Sequence, residues 1–188
     1  MPLTRLDAIT ALVLIDLQKG IVGMQMAHPA AQIVGRAARL AQAFRAKNLP
    51  VVLVNVSGLA PGRTEAPRPD LAGFPTDWTE FVPELRRQPS DHIVTKQRVG
   101  AFLGTDLDAY LRQRDVTQIV LAGIATSSGV ESTVRSAHDL GYNVTLVVDA
   151  MTDRNDEMHR HSAEKVFPRL GEVARTDDVL KLLNEQRA

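Results

Sequence analysis

Three polar points in this sequence stand where an apolar run gives way to a turn. Asp16 follows Ala11-Leu12-Val13-Leu14-Ile15 and precedes Leu17-Gln18. A carboxylate at the mouth of an apolar strand is partly desolvated, which raises its pKa and suits it to general acid–base work. The same carboxylate could instead cap a neighbouring backbone N–H. Lys96 follows Ile93-Val94-Thr95, with Arg98 two residues on. A lysine there can neutralise Asp16, hold it ionised or bind a substrate carboxylate, or it can stand solvated in a loop. The third point is Thr126-Ser127-Ser128-Gly129, between the run Gln118–Gly123 and a segment of helical period. Two serines and a glycine ahead of a helix leave backbone N–H groups at the positive end of the helix dipole. Such a turn can hold a carboxylate or a developing oxyanion; a plain serine N-cap is the alternative.

What must position these residues is an alternation of short β-branched runs with amphipathic stretches. The runs are Ala11–Ile15, Val51–Val56, His92–Thr95, Gln118–Gly123, Asn143–Val148 and a weaker Glu172–Arg175. The first two are apolar on both faces, as strands covered by helices on either side must be. Between them, Ile33, Ala37, Leu40, Ala41 and Phe44 share a helical face after Pro29. Leu107, Tyr110 and Leu111 follow a Thr105/Asp108 pair resembling a capping box. Val130, Thr133, Val134, Ala137 and Leu140 lead to a C-capping Gly141, and a last helix begins at Asp178. Strand–helix alternation means βαβ units. The expected fold is a three-layer α/β/α sandwich around a mainly parallel, six-stranded, doubly wound sheet, in one domain over residues 1–188. Ligands in such a sheet bind beyond the carboxyl ends of the strands, so the three polar points should converge on one rim.

Composition narrows the chemistry. Lys plus Arg (22) equals Asp plus Glu (22), so the formal net charge is zero. Without a basic run there is no electrostatic footprint for nucleic acid or an anionic membrane. There is no cysteine, which removes disulfides, thiolate metal sites and cysteine nucleophiles together. The first residues lack the apolar stretch of a signal peptide, and no run approaches the roughly 20 apolar residues of a membrane helix. A cytoplasmic enzyme is expected, without metal or cofactor: His159 and His161 point apart in a helical stretch, His28 reads as a surface or cap residue, and no phosphate-binding loop or G-x-S-x-G elbow occurs. The one long irregular segment, Ser57 to Asp91, holds six prolines and reads as a lid, a binding loop or a subunit contact. Its Phe74, Trp78 and Phe81 would anchor an interface or cap the domain's own pocket.

The same three points carry a family resemblance. Leu12-Val13-Leu14-Ile15-Asp16-Leu17-Gln18 resembles the first strand of isochorismatase-like hydrolases, with their catalytic aspartate. Lys96-Gln97-Arg98-Val99-Gly100-Ala101-Phe102 resembles their lysine segment. Gly123-Ile124-Ala125-Thr126-Ser127-Ser128-Gly129-Val130 resembles the segment that bears the nucleophile, and Asp149-Ala150 matches the pair after the fifth strand. The similarity runs in register from about residue 9 to residue 160.

Amidohydrolase members use an Asp–Lys–Cys triad in which a thiolate attacks an amide carbonyl. By the resemblance, the cysteine position here is Gly129, and the zinc-binding Asp-x-His of nicotinamidases is replaced by Asn55-Val56-Ser57. True isochorismatases also have glycine at the nucleophile position, share the Lys-x-Arg spacing, and resemble the stretch from Asp149 to His159. They cleave a vinyl ether with water and no covalent intermediate. The resemblance therefore implies a hydrolase of a small carboxylated metabolite with Asp16, Lys96 and Gly129 as catalytic positions. It implies Gln18, Arg98, Phe102, Thr126, Ser127 and Ser128 around the substrate, and a homodimer or homotetramer. Two other readings stand beside it: attack by Ser127 or Ser128 on an amide or ureido carbonyl, and a catalytically silent binding protein.

Overall fold

In the computed structural model, which describes residues 3–185, six strands form one sheet. They are β1 (Thr10–Ile15), β2 (Val51–Val56), β3 (His92–Lys96), β4 (Gln118–Ile124), β5 (Asn143–Thr152) and β6 (Glu172–Ala174). Their order is β3-β2-β1-β4-β5-β6, and every neighbouring pair is parallel. The helices are α1 (Lys19–Val22), α2 (Ala30–Ala46), α3 (Leu107–Arg112), α4 (Glu131–Asp139), α5 (Asp156–His161) and α6 (Thr176–Glu185).

The alternation of side chains along a strand builds two cores from β1 alone. Leu12 and Leu14 point to one face, where Ile33, Ala37, Leu40 and Phe44 of α2 and Val179 and Leu183 of α6 meet them. Ala11, Val13 and Ile15 point to the other, against Leu107 and Leu111 of α3 and Val134 and Ala137 of α4. This is the doubly wound sandwich that the apolar runs imply. β1, buried at all six positions, cannot shift without exposing both cores.

Three local expectations are corrected. The fifth strand extends four residues beyond Val148: the register of β4 and β5 shifts between Leu121 and Gly123, and Met151 and Thr152 then pair with Gly123 and Ile124. The sixth run ends at Ala174, and its helix starts at Thr176, whose N–H donates to Asp149 Oδ1 at 2.7 Å. The Thr105/Asp108 capping box does not form. Asp108 instead accepts from Tyr142 Oη at 2.7 Å and from Arg112 Nε at 3.3 Å, while Thr105 Oγ1 donates to Ala101 O and keeps its half of the cap, accepting from the Leu107 N–H at 3.3 Å. A carboxylate with a phenol and a guanidinium in reach has better partners than a helix terminus.

The Pro-rich segment leaves the sheet after Val56, and residues 61–70 are exposed throughout. It then returns to β1. Phe81 pairs antiparallel with Gln18, the Val82 N–H donates to Leu17 O at 3.1 Å, and Val82 and Leu85 are buried in the first core. Phe81 packs against that core and Phe74 lies 5.1 Å from Trp78, so these aromatics are engaged within the chain. Among the described residues no helix is long and apolar enough to cross a membrane.

Candidate active site

The strand order reverses between β1 and β4: the chain leaves β1 toward β2 on one side and leaves β4 toward β5 on the other. A doubly wound sheet opens a crevice beyond the carboxyl ends of its strands at that reversal. Here the crevice is a cavity of about 390 Å³. Gly123 (φ +127°) lets the end of β4 close on β1, because a Cβ there would overlap the Ile15 carbonyl.

Asp16 sits at the floor, one residue past β1. Its φ is +52°, a left-handed conformation that aspartate adopts more readily than most residues, and its N–H donates to Val54 O at 2.8 Å. The residue is 6% exposed. Oδ2 accepts from Lys96 Nζ at 2.8 Å, while Oδ1 is buried with no hydrogen-bond partner. Burial pushes the Asp16 pKa up to about 6, against the charge and hydrogen bond of Lys96, which pull it down. A buried acceptor left without a donor costs free energy unless something else satisfies it. Lys96 is itself buried, and its ammonium also reaches Arg98 O at 3.3 Å.

Gly129 closes over this pair. A Cβ there would lie 3.1 Å from Ile15 Cγ2 and 3.3 Å from Asp16 Oδ2, so the glycine brings the turn's backbone close to the carboxylate. Residues Thr126–Val130 form one wide π-helical turn that runs into α4. The expected anion cradle is partly filled by the chain itself. The Ser127 N–H donates to Asp153 Oδ2 at 2.7 Å, and the Arg154 N–H donates to Asp153 Oδ1 at 2.8 Å. The hydroxyl of Ser127 is buried without a partner.

Asp16, Lys96, Arg98, Ser127, Ser128 and Gly129 line the cavity together. Gln18, Phe102 and Thr126 do not, and in each case an internal contact accounts for it. The Gln18 amide donates to Val56 O (3.0 Å) and Trp78 O (3.1 Å) and accepts from the Val56 N–H (2.8 Å), bracing the returning loop. Phe102 is packed in the second core, stacked on Tyr142 at 6.0 Å. Thr126 is buried, with Oγ1 2.8 Å from His159 Nδ1. Asn55 donates to Thr79 O and accepts from Thr95 Oγ1.

The cavity also holds residues that the sequence reading passed over: Asp153, Arg154, and the apolar side chains of Met24, Met26 and Met158. Asp153 and Arg154 directly follow β5. They stand at a strand end, as Asp16 and Lys96 do, and the polarity of Asp149 hides that end in the sequence.

Comparison with known proteins agrees with this geometry. The Isochorismatase domain matches residues 10–178. The chain is 44% identical over 178 residues to an isochorismatase family protein, YwoC, of Bacillus subtilis strain 168, covering 92% of this chain and 93% of that protein. It is 31% identical over 157 residues to the phenazine biosynthesis protein PhzD of Pseudomonas fluorescens (79% and 74% covered). Over 124 residues it is 34% identical to the ureidoacrylate amidohydrolase RutB of Variovorax paradoxus (63% and 49% covered). A solved isochorismatase family structure from Burkholderia thailandensis superposes with a TM-score of 0.91 at 42% identity, over 96% of this chain and 98% of that one. In sequence and in fold alike, the chain belongs to the isochorismatase family of hydrolases.

Proposed function

We propose that this hydrolase cleaves a vinyl ether in a small carboxylated metabolite without a covalent enzyme intermediate, isochorismate being the most concrete substrate. The observation that carries this reading is Asp16: a buried carboxyl with a pKa near 6, one oxygen on Lys96 and the other without a protein partner. Its neighbour Gly129 offers no nucleophilic side chain. A carboxyl of that pKa is about one-tenth protonated at pH 7 and is poised to give a proton.

Protonated Asp16 delivers its proton to the terminal methylene carbon of the enol ether, and the alkene electron pair forms the new C–H bond. The resulting oxocarbenium ion takes the oxygen of a water molecule, and the water's proton returns to the Asp16 carboxylate. The hemiketal then breaks its C–O bond, its hydroxyl proton passing to the departing oxygen, giving a 2-oxo acid and an alcohol. Lys96 stabilises the carboxylate left after proton transfer. Arg98, whose guanidinium among the described residues meets only the Gln97 carbonyl, binds a substrate carboxylate.

A second reading rests on Ser127, whose hydroxyl is buried without a partner: attack on a C–N bond like that of the RutB substrate class. No base engages that hydroxyl among the described residues, the neighbouring His159 being bonded through Nδ1 to Thr126, and an unassisted hydroxyl is a weak nucleophile. Pyruvate release from isochorismate, coupled to lactate dehydrogenase, separates the two. Release that vanishes in Asp16→Asn and survives in Ser127→Ala supports the first reading. No release, with an acyl adduct on Ser127 in the mass spectrum after incubation with ureido or amide substrates, replaces it with the second. No turnover on either class together with tight metabolite binding leaves a binding protein.

A further inference from the structure

The cavity has a basic group on each flank of Asp16. Arg98 follows β3 and Arg154 follows β5, and both line the cavity. In the order β3-β2-β1-β4-β5-β6 the strand carrying Asp16 lies two places from each. Four inter-strand spacings put the ends of β3 and β5 about 19 Å apart, with Asp16 midway. An arginine side chain can span about 6 Å, so side chains from the two ends are long enough to bracket one small ring carrying a group at each end.

Neither guanidinium has an acidic partner among the described residues. Arg98 donates only to the adjacent Gln97 carbonyl, and Arg154 makes only a 3.8 Å contact to Met24 Sδ. Among the arginines that do have a carboxylate partner are Arg36 with Asp149, Arg39 with Asp177, Arg45 with Asp91 and Arg135 with Glu131; what sets Arg98 and Arg154 apart from the other unpaired arginines is that they line the cavity. Neither carboxylate in the cavity is bonded to an arginine guanidinium. Asp16 is on Lys96, and Asp153 has both oxygens on backbone N–H groups. Those bonds hold the backbone of Arg154 against the turn, so its guanidinium is presented from a fixed base. Met24 and Met158 beside it supply an apolar wall.

We infer that Arg154 is a specificity-determining residue that binds a second anionic group of the substrate, across the reacting centre from the one bound by Arg98. The substrate class is a compact dianion, a small apolar ring or chain with a carboxylate at each end and the scissile bond over Asp16. The inference rests on the placing of the reaction at Asp16 but not on which bond is broken there.

An unreactive probe pair keeps the two apart: benzoate and benzene-1,4-dicarboxylate, titrated calorimetrically into the wild-type protein and into Arg154→Leu and Arg154→Lys. The wild type should bind the dicarboxylate at least about tenfold more tightly than benzoate, as a charge-assisted contact warrants. Arg154→Leu should bring the two probes within about twofold while leaving benzoate binding unchanged, and Arg154→Lys should restore part of the preference. Equal binding of both probes by the wild type, no binding of either at millimolar concentration, or a preference that survives in Arg154→Leu would each overturn it. With whatever substrate proves active, Arg154→Leu should raise KM and leave kcat close to wild type; a fall in kcat at unchanged KM would equally count against it.

Discussion

Two buried carboxylates stand on the same rim, one after β1 and one after β5, and they differ in what occupies their oxygens. Asp153 is 2% exposed and accepts one backbone N–H on each oxygen, from Ser127 and from Arg154. Asp16 is 6% exposed, but only Oδ2 is engaged, by Lys96, and Oδ1 has no partner. Burial alone therefore does not mark a reactive group. A carboxylate with both oxygens on fixed backbone donors ties two chain segments together. One with a buried empty oxygen has a proton affinity raised by desolvation and a place to exchange that proton. In this cavity the first kind of carboxylate fixes the turn that the second kind faces.

The contrast breaks most sharply by removing each carboxylate in turn. Asp16→Asn should cut turnover by about 10²–10⁴-fold, the range for losing a general acid, with the far-UV circular dichroism spectrum unchanged. Full activity in that variant would end the case for Asp16. Asp153→Ala should act mainly on stability. Two backbone N–H groups lose their acceptor, which costs about 1–3 kcal/mol each where they stay buried, and urea unfolding should show the midpoint falling. If Asp153→Ala keeps the wild-type midpoint and loses all activity, the roles assigned to the two carboxylates must be exchanged.

The sequence made one of these groups legible and hid the other. Asp16 ends an unbroken run of five apolar residues, so the strand end and the polar residue beyond it could be read directly. β5 is interrupted by Asp149, whose polarity ends the apolar run four residues before the strand itself ends. Asp149 is tolerated there because Arg36, Thr176 and the register shift against β4 absorb it. Those partners are distant in sequence, so no local pattern announces them. Gln18 and Thr126 failed as cavity residues for the same reason in reverse: their polar groups looked available beside the site, and the bonds that consume them come from Val56, Trp78 and His159. The sheet, set by apolar periodicity, needed no such distant information.

A finer test is pH. If protonated Asp16 is the working form, kcat/KM falls as pH rises through about 6. Lys96 pulls that pKa down, so Lys96→Met should move the inflection upward, and an inflection that stays or moves down would separate Lys96 from Asp16 functionally. The sign for stability follows from the same shift. A carboxyl raised from 3.8 to about 6 on folding contributes stability that is fully present below the unfolded value and is lost as pH rises through the folded one. Wild type minus Asp16→Asn in urea unfolding, followed across that window, should show this loss with rising pH.

The smallest change concerns the space between the turn and Asp16. Gly129→Ala would place a methyl 3.1 Å from Ile15 Cγ2 and 3.3 Å from Asp16 Oδ2, closer than atoms of those types comfortably sit, so the side chains must give by a few tenths of an ångström. The crowding penalty is offset by the roughly 0.5–1 kcal/mol that alanine gains over glycine in a helical turn, and net stability should change by less than about 1 kcal/mol in thermal unfolding. The methyl also removes what room Asp16 has for water. Its carboxylate becomes harder to ionise, and the inflection of the pH profile moves further up. Because Asp153 binds the turn through the Ser127 N–H rather than through Gly129, its contribution to stability should be the same in Gly129→Ala as in wild type. A double-mutant cycle of Gly129→Ala with Asp153→Ala would show that as additivity. A large coupling energy in that cycle would mean that the turn transmits strain from one carboxylate to the other, and the two would have to be treated as one unit.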